Sequence, residues 1–133
     1  MSQHIKRMLD THPQKSSGGN SDALEKCITA CFECYETCTA CADACLGEDK
    51  VAEMVRCIRL NLDCATVCRA TGEVLIRQTE VNEQVRRAAL QACQTACEQC
   101  GQECEKHGEK MEHCKVCAES CRRCAEACRQ LAA

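Results

Sequence analysis

Cys27-Ile-Thr-Ala-Cys31-Phe-Glu-Cys34-Tyr-Glu-Thr-Cys38-Thr-Ala-Cys41-Ala-Asp-Ala-Cys45 repeats cysteine at steps of four, three, four, three and four. Residues three and four apart share one face of an α-helix, so the six sulfurs form a single stripe. Outward from this stretch the same register returns three times. It holds at Cys57, Cys64 and Cys68, then at Cys93, Cys97, Cys100 and Cys104, then at Cys114, Cys117, Cys121, Cys124 and Cys128. Every step within a set is three, four or their sum. Four helices, each with one such stripe, predict a seam of core-facing positions built of sulfur where leucine is usual.

The rest of the chain supports four long helices and little else. Pro13 is the sole proline, and residues 13–20 (Pro-Gln-Lys-Ser-Ser-Gly-Gly-Asn) read as a flexible linker. Ahead of it, Ile5, Met8, Leu9 and His12 have helical spacing and predict a short amphipathic segment that docks on the body. After it, Asn20, Ser21 and Asp22 offer a cap for a helix running to Leu46, with Gly47 as its stop. Asp49 is the expected cap of a second helix ending near Gln78, and Thr79 of a third running to His107. A fourth is expected from Lys110 to Leu131. Short connections make neighbours antiparallel. The expected fold class is therefore all-α: an antiparallel four-helix bundle over residues 21–133, preceded by a short N-terminal amphipathic segment and linker over residues 1–20.

Composition narrows the chemistry. Cysteine takes 18 of 133 positions, against one Phe, one Tyr and no Trp. That share exceeds the roughly 8–10% that marks disulfide scaffolds in short secreted chains. However, the residues after Met1 contain no apolar signal region, and no apolar run is long enough to cross a bilayer. A cytoplasmic location follows as the expectation, and clustered cysteines in a reducing compartment point to metal or redox chemistry. Net charge is −3 with Lys and Arg dispersed, so neither a nucleic-acid partner nor a membrane is expected.

Among metals, the pattern favours Cu(I). The stripes contain Cys-x-x-x-Cys pairs: Cys27/Cys31, Cys34/Cys38, Cys41/Cys45, Cys64/Cys68, Cys93/Cys97, Cys100/Cys104, Cys117/Cys121 and Cys124/Cys128. Each pair can turn both sulfurs inward around one soft ion of low coordination number. Zinc requires four ligands closing a tetrahedron. Cys97-x-x-Cys100 and Cys114-x-x-Cys117 have zinc-like spacing but lie within longer seams. The compact runs of iron–sulfur proteins are missing. Eighteen seam cysteines are too many for inert small hydrophobes, and sulfurs along one straight helix face rarely meet disulfide geometry.

Extending the seams past their cysteines reaches other donors. The third register continues to His107 and Met111. On the second, Met54 precedes Cys57 and Asn61 follows it at i+4. His113 adjoins Cys114. Antiparallel packing puts this group at one end of the bundle, a mouth of imidazole and thioether donors more exchangeable than buried thiolates. Thr71, Leu75 and Leu90 would plug the other end, and Phe32 and Tyr35 read as packing residues. A second stripe, Val51, Val55, Ile58, Leu62 and Ala65, is expected to be covered by the N-terminal segment or by another subunit.

These repeated Cys-x-x-x-Cys seams over residues 22–131 resemble the bacterial copper storage proteins, in particular the cytosolic branch without an export signal. The resemblance implies a four-helix bundle filled with Cu(I), assembly as a homotetramer, and a His/Met mouth at one end. Position by position, the 18 cysteines match the family's core ligands, and Met54, Asn61, His107, Met111 and His113 fall where its mouth donors lie. The expected function is storage or sequestration of many Cu(I) ions without turnover. The alternatives are a zinc or general heavy-metal buffer and a thiol redox enzyme, which would need an exposed, low-pKa cysteine.

Overall fold

The computed structural model describes residues 3–14 and 21–133. Most of the expected linker, residues 15–20, lies outside them. The helices are α1 (Gln3–Asp10), α2 (Ser21–Leu46), α3 (Val55–Ile76), α4 (Glu83–His107) and α5 (Glu112–Ala132), with a 3-10 turn at Val51–Met54 leading into α3. Around the bundle the order is α2, α3, α4, α5, with α5 closing back on α2. The sulfur contacts set the directions. Near one end Cys27 of α2 meets Cys128 of α5, and near the other Cys41 meets Cys114. Likewise Cys68 and Cys93 pair near one end of α3 and α4, and Cys57 and Cys104 near the other.

All four seams point inward, and all 18 cysteines are buried, none more than 2% exposed. Close helix approach goes with small side chains. At Gly101 a Cβ would lie 3.3 Å from the Cys121 Cβ, so α4 and α5 meet tightly. At Gly72 a Cβ would stand 2.9 Å from the Phe32 ring, which crosses α3 at that point. Glycine inside a helix costs about 1 kcal/mol relative to alanine, and here it makes room for the ring. Tyr35 also packs against the core, with the Arg69 guanidinium 5.8 Å over its ring centre.

Four helix boundaries differ from expectation. Asp49 does not cap a helix. The N–H groups of Gly47 and Glu48 bond back to Ala44 and Cys45 at 3.0 and 3.2 Å, and the 3-10 turn intervenes before Val55. The second long helix stops at Ile76, and Gln78 folds back to donate to the Leu75 carbonyl at 2.7 Å, filling a vacant acceptor at the helix end. Thr79 yields its expected capping role to Asn82, whose Oδ1 accepts from Val85 N–H at 3.0 Å, in keeping with the stronger capping preference of Asn over Thr. The chain enters that cap through Glu80, which has a left-handed φ of 54°. Finally, α5 starts at Glu112 and not at Lys110, because Lys110 and Met111 N–H still bond to the His107 carbonyl.

The two bundle ends are unlike. Thr71, Leu75 and Leu90 are buried as expected, joined by Leu24 and Ile28, and the Thr71 hydroxyl donates to the Ala89 carbonyl at 3.3 Å. The N-terminal segment docks as foreseen, with Ile5 only 3% exposed, and α1 packs against α2. It therefore does not cover the apolar stripe on α3. Val55 and Leu62 stay 64% and 48% exposed, which removes that one of the two expected coverings.

The Asn82 cap is directly testable. Replacing Asn82 by Ala is expected to lower the stability of the reduced, metal-free protein by ~1 kcal/mol in urea denaturation. An unchanged midpoint would mean that the cap contributes nothing.

Candidate metal centre

The inward stripes bring sulfurs together across helices as well as along them. Of the expected i,i+4 pairs, Cys34/Cys38 and Cys64/Cys68 meet at 3.7 Å and Cys100/Cys104 at 4.0 Å. Equally close contacts join different helices: Cys68 to Cys97 at 3.5 Å, Cys38 to Cys117 at 3.7 Å and Cys93 to Cys124 at 3.8 Å. A metal–sulfur bond is about 2.3 Å for zinc, so two sulfurs sharing an ion of that kind stand at most ~4.6 Å apart. The thiols are thus already near ligating separation. The sequence pattern identified the inward-facing sulfurs, but the pairs it suggested are only part of the set of close contacts.

Four sulfurs converge repeatedly, with all ligand atoms of a group within 4.8 Å of one another. The groups include Cys31/Cys93/Cys124/Cys128, Cys34/Cys68/Cys97/Cys124, Cys34/Cys38/Cys64/Cys121 and Cys38/Cys100/Cys117/Cys121. They overlap, since Cys34, Cys38, Cys121 and Cys124 each belong to two. Separate tetrahedral zinc ions would each require four ligands of their own. Sulfurs shared along a column suit a soft monovalent ion that accepts two or three thiolates and lets each sulfur bridge neighbours.

Asn61, from the same register as Cys57, lies fully buried inside this column. Its Nδ2 donates to the Cys57 carbonyl at 2.8 Å and lies 3.3 and 3.5 Å from the Cys57 and Cys104 sulfurs. Its Oδ1 accepts from Cys117 at 2.9 Å and from Cys100 at 3.3 Å. A buried amide is costly unless its donors and acceptor are used, and here each faces a partner.

At the end opposite Leu75 and Leu90 the structure gathers the remaining candidate residues unevenly. Cys41, Cys45, His113 and Cys114 form one ligand group. His113 Nδ1 lies 3.4 Å from the Cys41 sulfur and 3.6 Å from that of Cys114. Met54 is buried just before α3, and Met111 is half-buried against the core as α5 begins. His107 ends α4, with Nε2 3.3 Å from Glu103, a carboxylate only 8% exposed that also pairs with Arg56 and Lys106. Sequence reasoning missed Glu103 and Glu48, the latter 2.8 Å from His113 Nε2. Neither carries a local signal, because each acts through a neighbour set by the fold.

Proton affinities follow this geometry. Burial, then the Cys57 sulfur, push the Cys45 thiol up to about 11, and burial with the same sulfur raises Cys114. Hydrogen bonding with Cys128 and Cys31 holds Cys27 down at about 5, and hydrogen bonding with Cys104 and Cys41 holds Cys57 at about 3.

A bundle with such a core is a thiolate-lined metal store. The family model for copper storage proteins matches residues 20–133, and the chain belongs to that family. Membership makes it a copper store, with Cu(I) as cargo and the core thiolates as the binding groups. The copper storage protein Ccsp from Streptomyces lividans, loaded with 10 copper equivalents, is 48% identical over 96% of this chain and 97% of its own, with a TM-score of 0.94. A cytosolic copper storage protein from Streptomyces lividans, with five coppers, is 51% identical over 87% of this chain and 97% of its own, with a TM-score of 0.85. The Cu(I)-bound copper storage protein BsCsp3 is 37% identical over 84% of this chain and 99% of its own, with a TM-score of 0.74. No curated protein matches at a significant level.

The raised thiols give a pH dependence of definite sign. The unfolded value is near 9 and the folded value of Cys45 is about 11, so folding favours the protonated form. That contribution is fully present below pH 9 and lost as pH rises through 11. Lowered groups such as Cys27 are ionised in both states above pH 9 and add no slope there. Thermal melts of the reduced apo-protein should therefore fall from pH 9 to 11, whereas the copper-loaded form, with no thiol proton to lose, should stay level. A level apo curve would refute the assignment.

Proposed function

We propose that this protein is a non-catalytic cytoplasmic reserve holding on the order of one Cu(I) per core thiolate, about 18 per chain. The observation that carries this reading is the continuous column of overlapping four-sulfur groups, plugged at one end and bordered by His113 at the other. Each thiolate left alone in a low-dielectric core is unfavourable, and each Cu(I) cancels one charge, so electroneutrality sets the loading. The storage unit is residues 21–133, with residues 1–20 appended to it. A cytoplasmic setting is supported by the cytosolic Streptomyces relative. Among the described residues no helix is long and apolar enough to cross a membrane, and we propose neither a membrane nor a nucleic acid as partner.

The 18 cysteines and Asn61 are the proposed core set, and Met54, His107, Met111 and His113 the proposed mouth through which copper passes inward to stronger thiolates. Native mass spectrometry of reduced protein titrated with Cu(I) tests the loading, and saturation at two or three ions would overturn it. In the same titration, replacing His107 and Met111 together by Ala should slow exchange with a chelator severalfold and leave capacity nearly unchanged. Replacing Cys34 and Cys38 by Ala should do the reverse, lowering capacity with early uptake intact.

The exposed stripe on α3 is the proposed surface for assembly with further copies of this chain, as a homotetramer. Exposed Val55 and Leu62, flanked by half-buried Ile58, support this. Sedimentation should give a mass near four chains for the native protein and a smaller one for Leu62→Lys. A monomeric native protein would exclude the assembly.

A further inference from the structure

We infer that Glu48 is a positioning residue for copper uptake: it holds His113 so that Nδ1 is the imidazole nitrogen offered to copper beside Cys41, Cys45 and Cys114. This rests on the mouth reading above and deepens it by naming the group that aims the ring.

Glu48 stands two residues beyond the end of α2, and its N–H bonds back to the Cys45 carbonyl at 3.2 Å. The turn that closes α2 therefore fixes Glu48 next to the last sulfur of that helix. From there its Oε2 reaches across to α5 and lies 2.8 Å from His113 Nε2. A carboxylate accepts and does not donate, so the hydrogen of this bond sits on Nε2. The lone pair then belongs to Nδ1, and Nδ1 is the nitrogen turned toward sulfur, 3.4 Å from Cys41 and 3.6 Å from Cys114. A carboxylate on the far nitrogen fixes the orientation of a metal-binding imidazole and raises its donor strength.

The other imidazole at this end makes the contrast. Glu103 faces His107 Nε2 at 3.3 Å, but its carboxylate is shared with Arg56 and Lys106. Among the described residues, His113 is the one ion-pair partner of Glu48. The Glu48 carboxylate is therefore committed to one ring, and that ring is grouped with three thiols. Both side chains are about one-third exposed or less, at 33% for Glu48 and 27% for His113, so the pair borders solvent without being dissolved in it. An arriving ion meets an imidazole already turned toward the thiols it must reach next.

The test uses the full-length reduced protein and Cu(I) delivered from a chelator of known affinity. Glu48→Ala should slow early uptake by on the order of 10-fold, the scale on which losing such a partner weakens a metal site. Glu48→Gln, which keeps an accepting oxygen, should recover most of the rate. In a His113→Ala background neither change should matter further, because the ring they act through is gone. Independently of copper, nitrogen-15 NMR of the apo-protein should show a His113 Nε2–H protected from exchange, lost in Glu48→Ala and retained in Glu48→Gln. If Glu48→Ala slows uptake equally with and without His113, or loads normally while His113→Ala is slow, the positioning role is overturned. If His113→Ala itself loads at wild-type speed, the mouth reading falls, and the role of Glu48 falls with it.

Discussion

The whole molecule depends on keeping sulfur charge balanced in a core that excludes water. An ionised thiolate in low dielectric needs a cation or hydrogen-bond donors beside it. With 18 cysteines buried together, there is no room for ordinary counter-ions. Buried thiols meet this constraint as neutral S–H groups beside neighbouring sulfurs, and a thiolate meets it where a metal ion takes the place of the proton. Burial and a neighbouring sulfur push Cys45 and Cys114 toward the neutral thiol, which expresses that constraint. Neutral cysteine packs as a small hydrophobe, so helices close on thiols as they would on alanine or valine.

Against this background the buried polar groups acquire definite parts. Asn61 places both ends of its amide among sulfurs, donating toward Cys57 and Cys104 and accepting from Cys100 and Cys117. It can support a thiolate on one side and a thiol on the other, a service no aliphatic side chain offers. Thr71 satisfies itself on the Ala89 carbonyl and so lets the plug end stay dry. Glu103 is tolerated because Arg56, Lys106 and His107 surround it. Glu103 and His107 thus stand at the end of the bundle opposite Leu75 and Leu90.

Much of this was legible in the sequence because two periodicities coincide. Steps of three and four specify a helix, and the same steps specify which face turns inward, so the bundle and its donors followed from one reading of cysteine positions. Asn61 was found because it continues the Cys57 register. What stayed hidden depends on cross-helix neighbours. Glu48 and His113 are 65 residues apart, and nothing in the local sequence of either marks the pair. The sulfur pairing was only partly readable for the same reason: i,i+4 spacing identifies contacts along a helix, while Cys68 to Cys97 needs the relative rotation of α3 and α4. The helix starts at Val55, Glu83 and Glu112 were missed where several capping residues compete within a few positions, as Thr79 and Asn82 do.

A column of shared ligands differs in kind from a row of separate sites. Where four ligands belong to one ion, releasing that ion leaves four unpaired charges and the barrier is high. Where each sulfur belongs to two groups, as Cys34, Cys38, Cys121 and Cys124 do, an ion can form a bond to the next sulfur before breaking the last. Movement of an ion along such a column then needs no opening of the helices. A rigid bundle, which would trap ions held in isolated tetrahedral sites, becomes compatible with exchange. Leu24, Ile28, Leu75 and Leu90 close one end with apolar side chains, which offer an ion no further ligand. Storage that is both dense and reversible follows from overlap of the groups more than from the number of cysteines.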